Sequence, residues 1–181
     1  MQHFHRANPI TGDIASSAHA MSVAEAKEIV DAAKEAFVEW SQQGPNSRRT
    51  LLLKAAESLV ERGPQFVDAM ANETGATKAW SLFNVQLAAS MIREAASLTT
   101  QIVGSVIPSD KPGCLAMMMR EPVGVILGIA PWNAPVILGV RAIATALACG
   151  NSVVLKASEI CPRTHQLIAE SFEAAGFPSG V

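Results

Sequence analysis

Three polar side chains stand at the ends of two apolar segments in the second half of the chain. Asn133 follows the apolar run 123–130, and Lys156 and Glu159 follow the apolar run 153–155. An amide N–H can stabilise an oxyanion, an ammonium group can hold phosphate or ribose hydroxyls, and a carboxylate can accept hydrogen bonds from ribose. If both segments are parallel strands, their carboxyl ends form a ligand site. The pattern therefore predicts an oxyanion donor beside a nucleotide-binding couple.

Each of these residues also has a simpler interpretation. Asn133 would cap the helix that follows it, because Asn is a favoured N-cap residue. Lys156 and Glu159 would form a solvated surface ion pair, which contributes little stability. A G-x-G-x-x-G fingerprint is missing, since Gly124 and Gly128 fall inside the apolar segment. The residues alone leave the cofactor open. For a dinucleotide, Glu159 favours NAD over NADP, because a carboxylate repels a 2′-phosphate.

The three cysteines are expected to be structural. The chain has three cysteines, Cys114, Cys149 and Cys161, an odd number without C-x-x-C spacing. This argues against a disulfide framework or a zinc site and favours a cytosolic protein with reduced thiols. None has a histidine placed by local spacing to activate it as a nucleophile. We therefore expect no metal site.

Composition indicates a folded chain with a large core. The 181 residues are 49% hydrophobic and 17% charged, with a net charge of −2, which suits one domain or slightly more. No basic stripe and no tyrosine are present, so a nucleic-acid surface is not expected. The start of the chain lacks the apolar region of a secretory signal, and the run 123–130 is too short to cross a bilayer.

The first half of the chain is predicted to be helical after an irregular start. Residues 1–20 suggest turns around 8–9 and 11–13, and Ser22 with Glu25 forms a capping box that opens the first helix. Apolar periodicity and Pro or Gly at the boundaries predict three more helices, over 47–62, from 64 to Gly75, and onward to about residue 100. On the last of these, Trp80, Phe83 and Asn84 are candidates for a ligand wall, although core packing is the simpler interpretation.

The pattern changes to β and then to alternating β and α after residue 101. Segments 102–107 and 114–120 predict a hairpin around a turn-rich loop. A strand at 123–130, covered on both faces, is then followed by a helix from Pro135 to residue 149, closed by Gly150. A strand at 152–156 and a helix from Pro162 to about residue 175 complete a βαβα unit. The predicted fold class is α/β with a Rossmann-like parallel sheet.

Several motifs together resemble the aldehyde dehydrogenase superfamily. They are Pro131-Trp132-Asn133, the run Lys156-Ala157-Ser158-Glu159, the run Arg120-Glu121-Pro122-Val123-Gly124-Val125 and Glu73-Thr74-Gly75. They occur in the family's order, and the likeness covers residues 8–181. Aromatic-aldehyde members, such as salicylaldehyde, benzaldehyde and vanillin dehydrogenases, are the most similar.

The resemblance implies roles for individual residues. Asn133 would donate its amide to the thiohemiacetal oxyanion, and Lys156 and Glu159 would bind the adenosine ribose of NAD rather than NADP. The cofactor pocket would be lined, partly by backbone groups, by Ile129, Ala130, Pro131 and Trp132.

The resemblance also implies a division of the chain. Residues 1–101 would form the N-terminal helical part of the cofactor domain, 102–120 an oligomerisation hairpin of a dimer or tetramer, and 121–181 the first unit of the NAD-binding sheet. Family members are more than twice as long, and their catalytic cysteine and general-base glutamate would lie beyond residue 181. The chain is therefore expected to be an incomplete, inactive part of an aldehyde dehydrogenase. A non-catalytic nucleotide-binding or assembly module, and an acyl-phosphate or acyl-CoA reductase, remain open.

Overall fold

Helices dominate the structure, a computed structural model that describes residues 2–181. Within that range the chain forms six α-helices: α1 Val23–Ser41, α2 Pro45–Glu61, α3 Gly63–Thr74, α4 Lys78–Leu98, α5 Pro135–Ala148 and α6 Pro162–Ala174. The predicted helices are all present, and their ends differ from the expected positions by about two residues, as is usual for helix termini.

Six strands in the described range form three separate two-stranded pairs. The strands are β1 His3–Ala7, β2 Ile14–His19, β3 Ser105–Ile107, β4 Ala116–Met118, β5 Val125–Ile129 and β6 Ser152–Lys156. The first two pairs are antiparallel hairpins, and β5 with β6 is parallel. The mixed α/β class is thereby confirmed, and the β3–β4 hairpin is present but shorter than predicted.

The expectation of an irregular start was wrong. Residues 3–19 form the β1–β2 hairpin around the predicted turn, in which the Asn8 side chain accepts hydrogen bonds from the Ile10 and Thr11 N–H groups. These strands are short and rich in His and Ser, so they lack the apolar alternation by which a strand is identified in a sequence. The hairpin is stabilised by contacts with α3 and α6, which a sequence pattern does not report.

Local signals set the helix boundaries as predicted. The capping box is formed, because the Glu25 N–H donates to Ser22 Oγ at 3.2 Å and the Ser22 N–H donates to the Glu25 carboxylate at 2.7 Å. Pro135 lies at the first position of α5, and Gly150 follows its end with φ of 84°. A left-handed residue at this point terminates the helix and directs the chain into β6.

The core lies among helices α2 to α6, together with the end of α1. It includes large side chains that are fully buried, such as Trp40, Leu52, Phe66, Ile92 and Leu167. Helices α5 and α6 approach closely at Gly139, where an added Cβ would lie 2.6 Å from Cδ1 of Ile168. The close approach brings the start of α6 against α5, near the ends of both parallel strands.

The prediction that β5 is covered on both faces was wrong. Gly128 is buried against Ala142 of α5, whereas Leu127 and Ile129 point to the other face and are 62% and 67% exposed. A continuous apolar run is typical of a strand buried on two sides, but in residues 2–181 α5 covers only one face of β5 fully.

Buried polar side chains fix the two parallel strands at their starts. Oδ1 of Asn151 accepts hydrogen bonds from the Val123 and Gly124 N–H groups at 2.7 and 3.1 Å, just before β5. Ser152 Oγ, at the start of β6, donates to the Ala33 carbonyl of α1 at 2.7 Å. Because the Asn151 and Ser152 residues are buried, breaking these bonds would leave unsatisfied polar groups, so the sheet is held in one position against the helices.

Candidate functional site

The parallel pair brings two chain corners to the same edge of the sheet. Ile129, the last residue of β5, is the register partner of Lys156, the last residue of β6, and the Ala130 N–H donates to the Lys156 carbonyl at 3.1 Å. The chain leaves β5 through corner 130–133 and leaves β6 through turn 157–161. Polar groups of both segments therefore lie at one sheet edge, as the sequence predicts for a ligand site.

Corner 130–133 exposes most of its side chains. Pro131, Trp132 and Asn133 are exposed, whereas Ala130 is buried and its N–H is already used in the sheet. The N-cap of α5 is Ala134, and no side chain caps this helix, so the capping interpretation of Asn133 is wrong. The Asn133 amide is an exposed neutral donor group at the end of a strand.

Lys156 and Glu159 form the expected ion pair, and both are open to solvent. Lys156 Nζ lies 3.1 Å from Glu159 Oε2, and the two side chains are 57% and 69% exposed. The backbone N–H of Glu159, and then Lys156, hold the pKa of the Glu159 carboxyl below its usual range, so it is charged at neutral pH. An ion pair this exposed contributes little to folding. The contact between Lys156 and Glu159 can therefore be replaced by contacts with a ligand at a small cost in free energy.

An open cleft of about 900 Å³ lies beside this pair. Its walls are mainly apolar and come from the β1–β2 hairpin, α1, both parallel strands, α5, α6 and residues 177–181. Lys156 and Glu159 also line it. Among residues 2–181, the lining does not include Asn133 or the neighbouring candidates Ile129 to Trp132. The structure thus places the candidates at one sheet edge but only the charged pair in this cleft.

Turn 157–161 is held by buried groups that the sequence analysis missed. The Ser158 N–H donates to Nδ1 of His165 at 3.0 Å, and the Cys161 N–H donates to the Ser158 carbonyl at 3.2 Å. His165 is buried on the first turn of α6, and burial lowers its pKa to about 4, so the ring is neutral and its Nδ1 serves as an acceptor. Spacing alone shows no reason to select this histidine.

Cys161 contacts a histidine that the sequence analysis did not select, but the contact does not activate its thiol. Its Sγ lies 3.8 Å from Nδ1 of His165, four residues later on α6. Burial, together with the Glu73 charge, raises the pKa of the Cys161 thiol to about 12. A thiol that stays protonated next to a neutral imidazole is a poor nucleophile. Within residues 2–181 no cluster of three His, Cys, Asp or Glu side chains is arranged to hold a metal ion.

The aromatic residues of α4 are not packed in the core. Trp80 and Phe83 are 41% and 52% exposed, and their rings stack with centroids 5.5 Å apart. The core interpretation is therefore wrong for both, whereas Asn84 is buried and donates to the Trp80 carbonyl at 3.1 Å. The stack forms an apolar surface on a helix that packs against α5. None of the helices in the described range is long and apolar enough to cross a bilayer.

Comparison with known proteins identifies a family. The model of the aldehyde dehydrogenase family matches residues 1–181. A vanillin dehydrogenase of Pseudomonas fluorescens is 56% identical over 178 residues, covering 98% of this chain and 37% of that protein. A salicylaldehyde dehydrogenase of Pseudomonas putida is 47% identical over 180 residues, with 99% and 37% covered.

Solved structures give the same result. The crystal structure of a salicylaldehyde dehydrogenase from Pseudomonas putida G7, complexed with salicylaldehyde, superposes with a TM-score of 0.96 at 46% identity, covering 99% of this chain and 37% of that one. An NAD-dependent benzaldehyde dehydrogenase from Corynebacterium glutamicum gives a TM-score of 0.95 at 32% identity, covering 99% and 39%. The chain thus spans a little over one third of the length of these relatives.

The neutral, buried His165 makes stability depend on pH. Its pKa is about 4 in the folded chain and 6.5 as a free side chain, so between these values the unfolded chain binds more protons. Stability therefore falls as the pH decreases through this window, by about 1.4 kcal/mol per pH unit from this group. Urea unfolding at several pH values gives the free energy of unfolding as a function of pH. This free energy should depend less steeply on pH in His165→Asn than in wild type. The exposed Gln166→Asn change serves as control, and equal slopes in wild type and His165→Asn would contradict the assignment.

Proposed function

Because the chain belongs to the aldehyde dehydrogenase family, we propose that it is the N-terminal part of an NAD-dependent enzyme that oxidises an aromatic aldehyde to a carboxylic acid. The observation that carries the proposal is the register of β5 and β6, which sets corner 130–133 beside turn 157–161. In the proposal, corner 130–133 contacts the aldehyde and the nicotinamide, and turn 157–161 contacts the adenosine.

The charged pair suits a nucleotide ribose. Lys156 and Glu159 are exposed partners of each other and line a cleft of about 900 Å³ with mainly apolar walls, which offers space for a flat base. The ionised Glu159 accepts hydrogen bonds from the two ribose hydroxyls, and the Lys156 ammonium group donates to one of them. The same negative charge disfavours a 2′-phosphate, so NAD is proposed rather than NADP.

Asn133 is proposed as the oxyanion donor. Its side chain does not cap α5, and its amide is presented at the end of β5, where it can donate to an aldehyde oxygen that becomes negative after attack by a thiolate. Bound NAD would supply the hydride acceptor. Ile129, Ala130, Pro131 and Trp132 are proposed to line the nicotinamide side, with Ala130 contributing only its carbonyl because its N–H is paired in the sheet.

The nucleophilic cysteine and the general-base carboxylate are proposed to lie outside these 181 residues. Cys161 is buried with a raised pKa, Cys149 is half-buried at the end of α5, and Cys114 lies in the loop of the β3–β4 hairpin. The raised pKa of Cys161 disfavours the thiolate, and among residues 2–181 no His, Asp or Glu side chain is hydrogen-bonded to Cys114 or Cys149 as a base.

An aromatic substrate is favoured by two observations. Relatives at 56% and 47% identity are a vanillin and a salicylaldehyde dehydrogenase. Independently, the stacked and exposed Trp80 and Phe83 offer an apolar wall to a planar ring on a helix that packs against α5.

The β3–β4 hairpin favours a second candidate role, as an assembly module. Val106 and Met117 face each other across the hairpin and are exposed, as are Ile107 and Met118 beside them. In the described residues the hairpin has no third strand, so both its edges are open to pairing. We propose that this hairpin joins copies of the chain into a dimer or tetramer.

Nucleotide binding tests the proposed function directly. Titration calorimetry of the 181-residue chain should show NAD binding that weakens about tenfold in Glu159→Gln, because charge-assisted hydrogen bonds to ribose are lost. The preference for NAD over NADP should shrink in the same variant. The exposed Glu57→Gln change removes an equal charge on α2 and should alter neither affinity. Absence of NAD binding by the wild-type chain would refute the proposal for this chain.

Catalysis by the chain alone is expected to be absent. With benzaldehyde or vanillin and NAD, the 181-residue chain should produce no NADH absorbance above a blank without protein, because the proposal assigns the nucleophilic cysteine to residues outside these 181. Cys114→Ser is the matched control, since Cys114 is the exposed thiol. Turnover in wild type that disappears in this variant would contradict the assignment of the nucleophile to the rest of the protein.

Association through the hairpin can be measured by sedimentation velocity. The double change Val106→Lys and Met117→Glu places opposite charges on the exposed cross-strand pair, which preserves the hairpin but charges its surface. The wild-type chain should sediment as an oligomer and the double variant as a monomer. Val38→Lys, an equally exposed position on α1, should leave the oligomer intact. A monomeric wild type would exclude this role for the hairpin.

A further inference from the structure

Turn 157–161 carries Glu159 and leads directly into α6. Its backbone is tied to the first turn of that helix, because the Ser158 N–H donates to His165 Nδ1 at 3.0 Å and the His165 N–H donates to the Cys161 carbonyl at 3.2 Å. The Ile160 N–H donates to Ser158 Oγ at 3.2 Å. The position of Glu159 therefore follows the position of the start of α6.

The start of α6 is capped from another part of the chain. Its N-cap residue Cys161 makes no side-chain capping bond. Instead, the carboxylate of Glu73, at the end of α3, accepts hydrogen bonds from the Arg163 N–H at 2.7 Å, the Thr164 N–H at 3.0 Å and Thr164 Oγ1 at 2.7 Å. A carboxylate at a helix N-terminus satisfies unpaired N–H groups and interacts favourably with the helix dipole.

Glu73 is itself fixed by the N-terminal hairpin. It is fully buried, Ser16 Oγ of β2 donates to its Oε1 at 2.5 Å, and Arg6 Nε of β1 donates to its backbone carbonyl at 2.8 Å. Four donor groups thus converge on one carboxylate. A carboxylate can accept all four bonds, whereas an amide of the same shape would present N–H groups to at least some of these donors.

We propose that Glu73 is a positioning residue of the nucleotide site: it fixes the start of α6 and, through His165 and Ser158, the turn that presents Glu159. The inference takes its ligand, a nucleotide, from the proposed function and rests on that proposal for the identity of the ligand. The positional part stands on the hydrogen bonds from Arg163 and Thr164 to Glu73 and from Ser158 to His165, the next residue of the same helical turn, and does not need the ligand. A residue that only joined α3 to α6 would affect stability without affecting this turn selectively.

Amide hydrogen exchange, followed by NMR on the 181-residue chain, tests the positional part. Glu73→Gln should raise exchange at Ser158 and Cys161 about tenfold while amides in the middle of α6 keep their protection. Glu170→Gln is the matched control, because Glu170 lies on α6 and the change removes its ion pairs with Arg62, between α2 and α3, and with Arg163 of α6, without touching the turn. Unchanged exchange at Ser158, or an equal rise along all of α6, would overturn the inference.

A milder variant covers the case in which Glu73→Gln does not fold. Ser16→Ala removes one donor from the carboxylate and leaves the other three, so it should raise exchange at the same two amides by a smaller factor. If Ser16→Ala folds and leaves both amides unchanged while Glu73→Gln is unfolded, the inference is overturned and Glu73 has only a structural role.

Nucleotide preference is the second readout and separates the two proposals. Glu73→Gln should reduce the NAD-to-NADP affinity ratio in the same direction as Glu159→Gln, and the double variant should be no worse than Glu159→Gln alone. If the wild-type chain binds neither nucleotide but the exchange pattern holds, the proposed function fails and the positioning role stands. If Glu159→Gln alters the ratio while Glu73→Gln changes neither ratio nor exchange, the positioning role fails and the proposed function stands.

Discussion

Ile129 and Lys156 end their strands side by side, and the Ala130 N–H donates to the Lys156 carbonyl at 3.1 Å. This pairing is the constraint on which the candidate site depends, because a shift of one residue in the register would turn Lys156 to the opposite face of the sheet. The register is set at the other end of the strands, where Asn151 and Ser152 hold the chain to the segment before β5 and to α1.

The site consists of exposed polar residues that follow the two strands and of buried residues that hold turn 157–161 in place. Asn133, Lys156 and Glu159 are exposed, as residues that meet a ligand must be. Behind them, His165 and Glu73 are buried and accept hydrogen bonds from backbone N–H groups, His165 Nδ1 from Ser158 and the Glu73 carboxylate from Arg163 and Thr164, so that they fix turn 157–161 without facing a ligand. Buried polar groups with several partners resist displacement, so the exposed Lys156–Glu159 pair stands on a backbone segment that is held in place.

Much of the fold could be predicted from the sequence because its signals are local. The Ser22–Glu25 capping box, the prolines that open α5 and α6 and the glycine that follows α5 act within a few residues of the boundary they set. The N-terminal hairpin was missed because its strands are rich in His and Ser and show no apolar alternation. The predicted coverage of β5 was wrong because an apolar run does not indicate which elements pack against each face of the strand. The exposure of Trp80 and Phe83 was missed for the same reason.

The sequence by itself determined the order and type of the elements from residue 22 onward, the polar candidates at the ends of two strands, and the family to which the motifs belong. Only the tertiary structure decided that Ile129 lies opposite Lys156, that Asn133 does not cap α5, and that Glu73 caps a helix about ninety residues away. The physical reason is that caps, turns and periodicity are properties of neighbouring residues. Contacts between distant residues depend instead on how whole helices and strands pack, and no short pattern of residues encodes that.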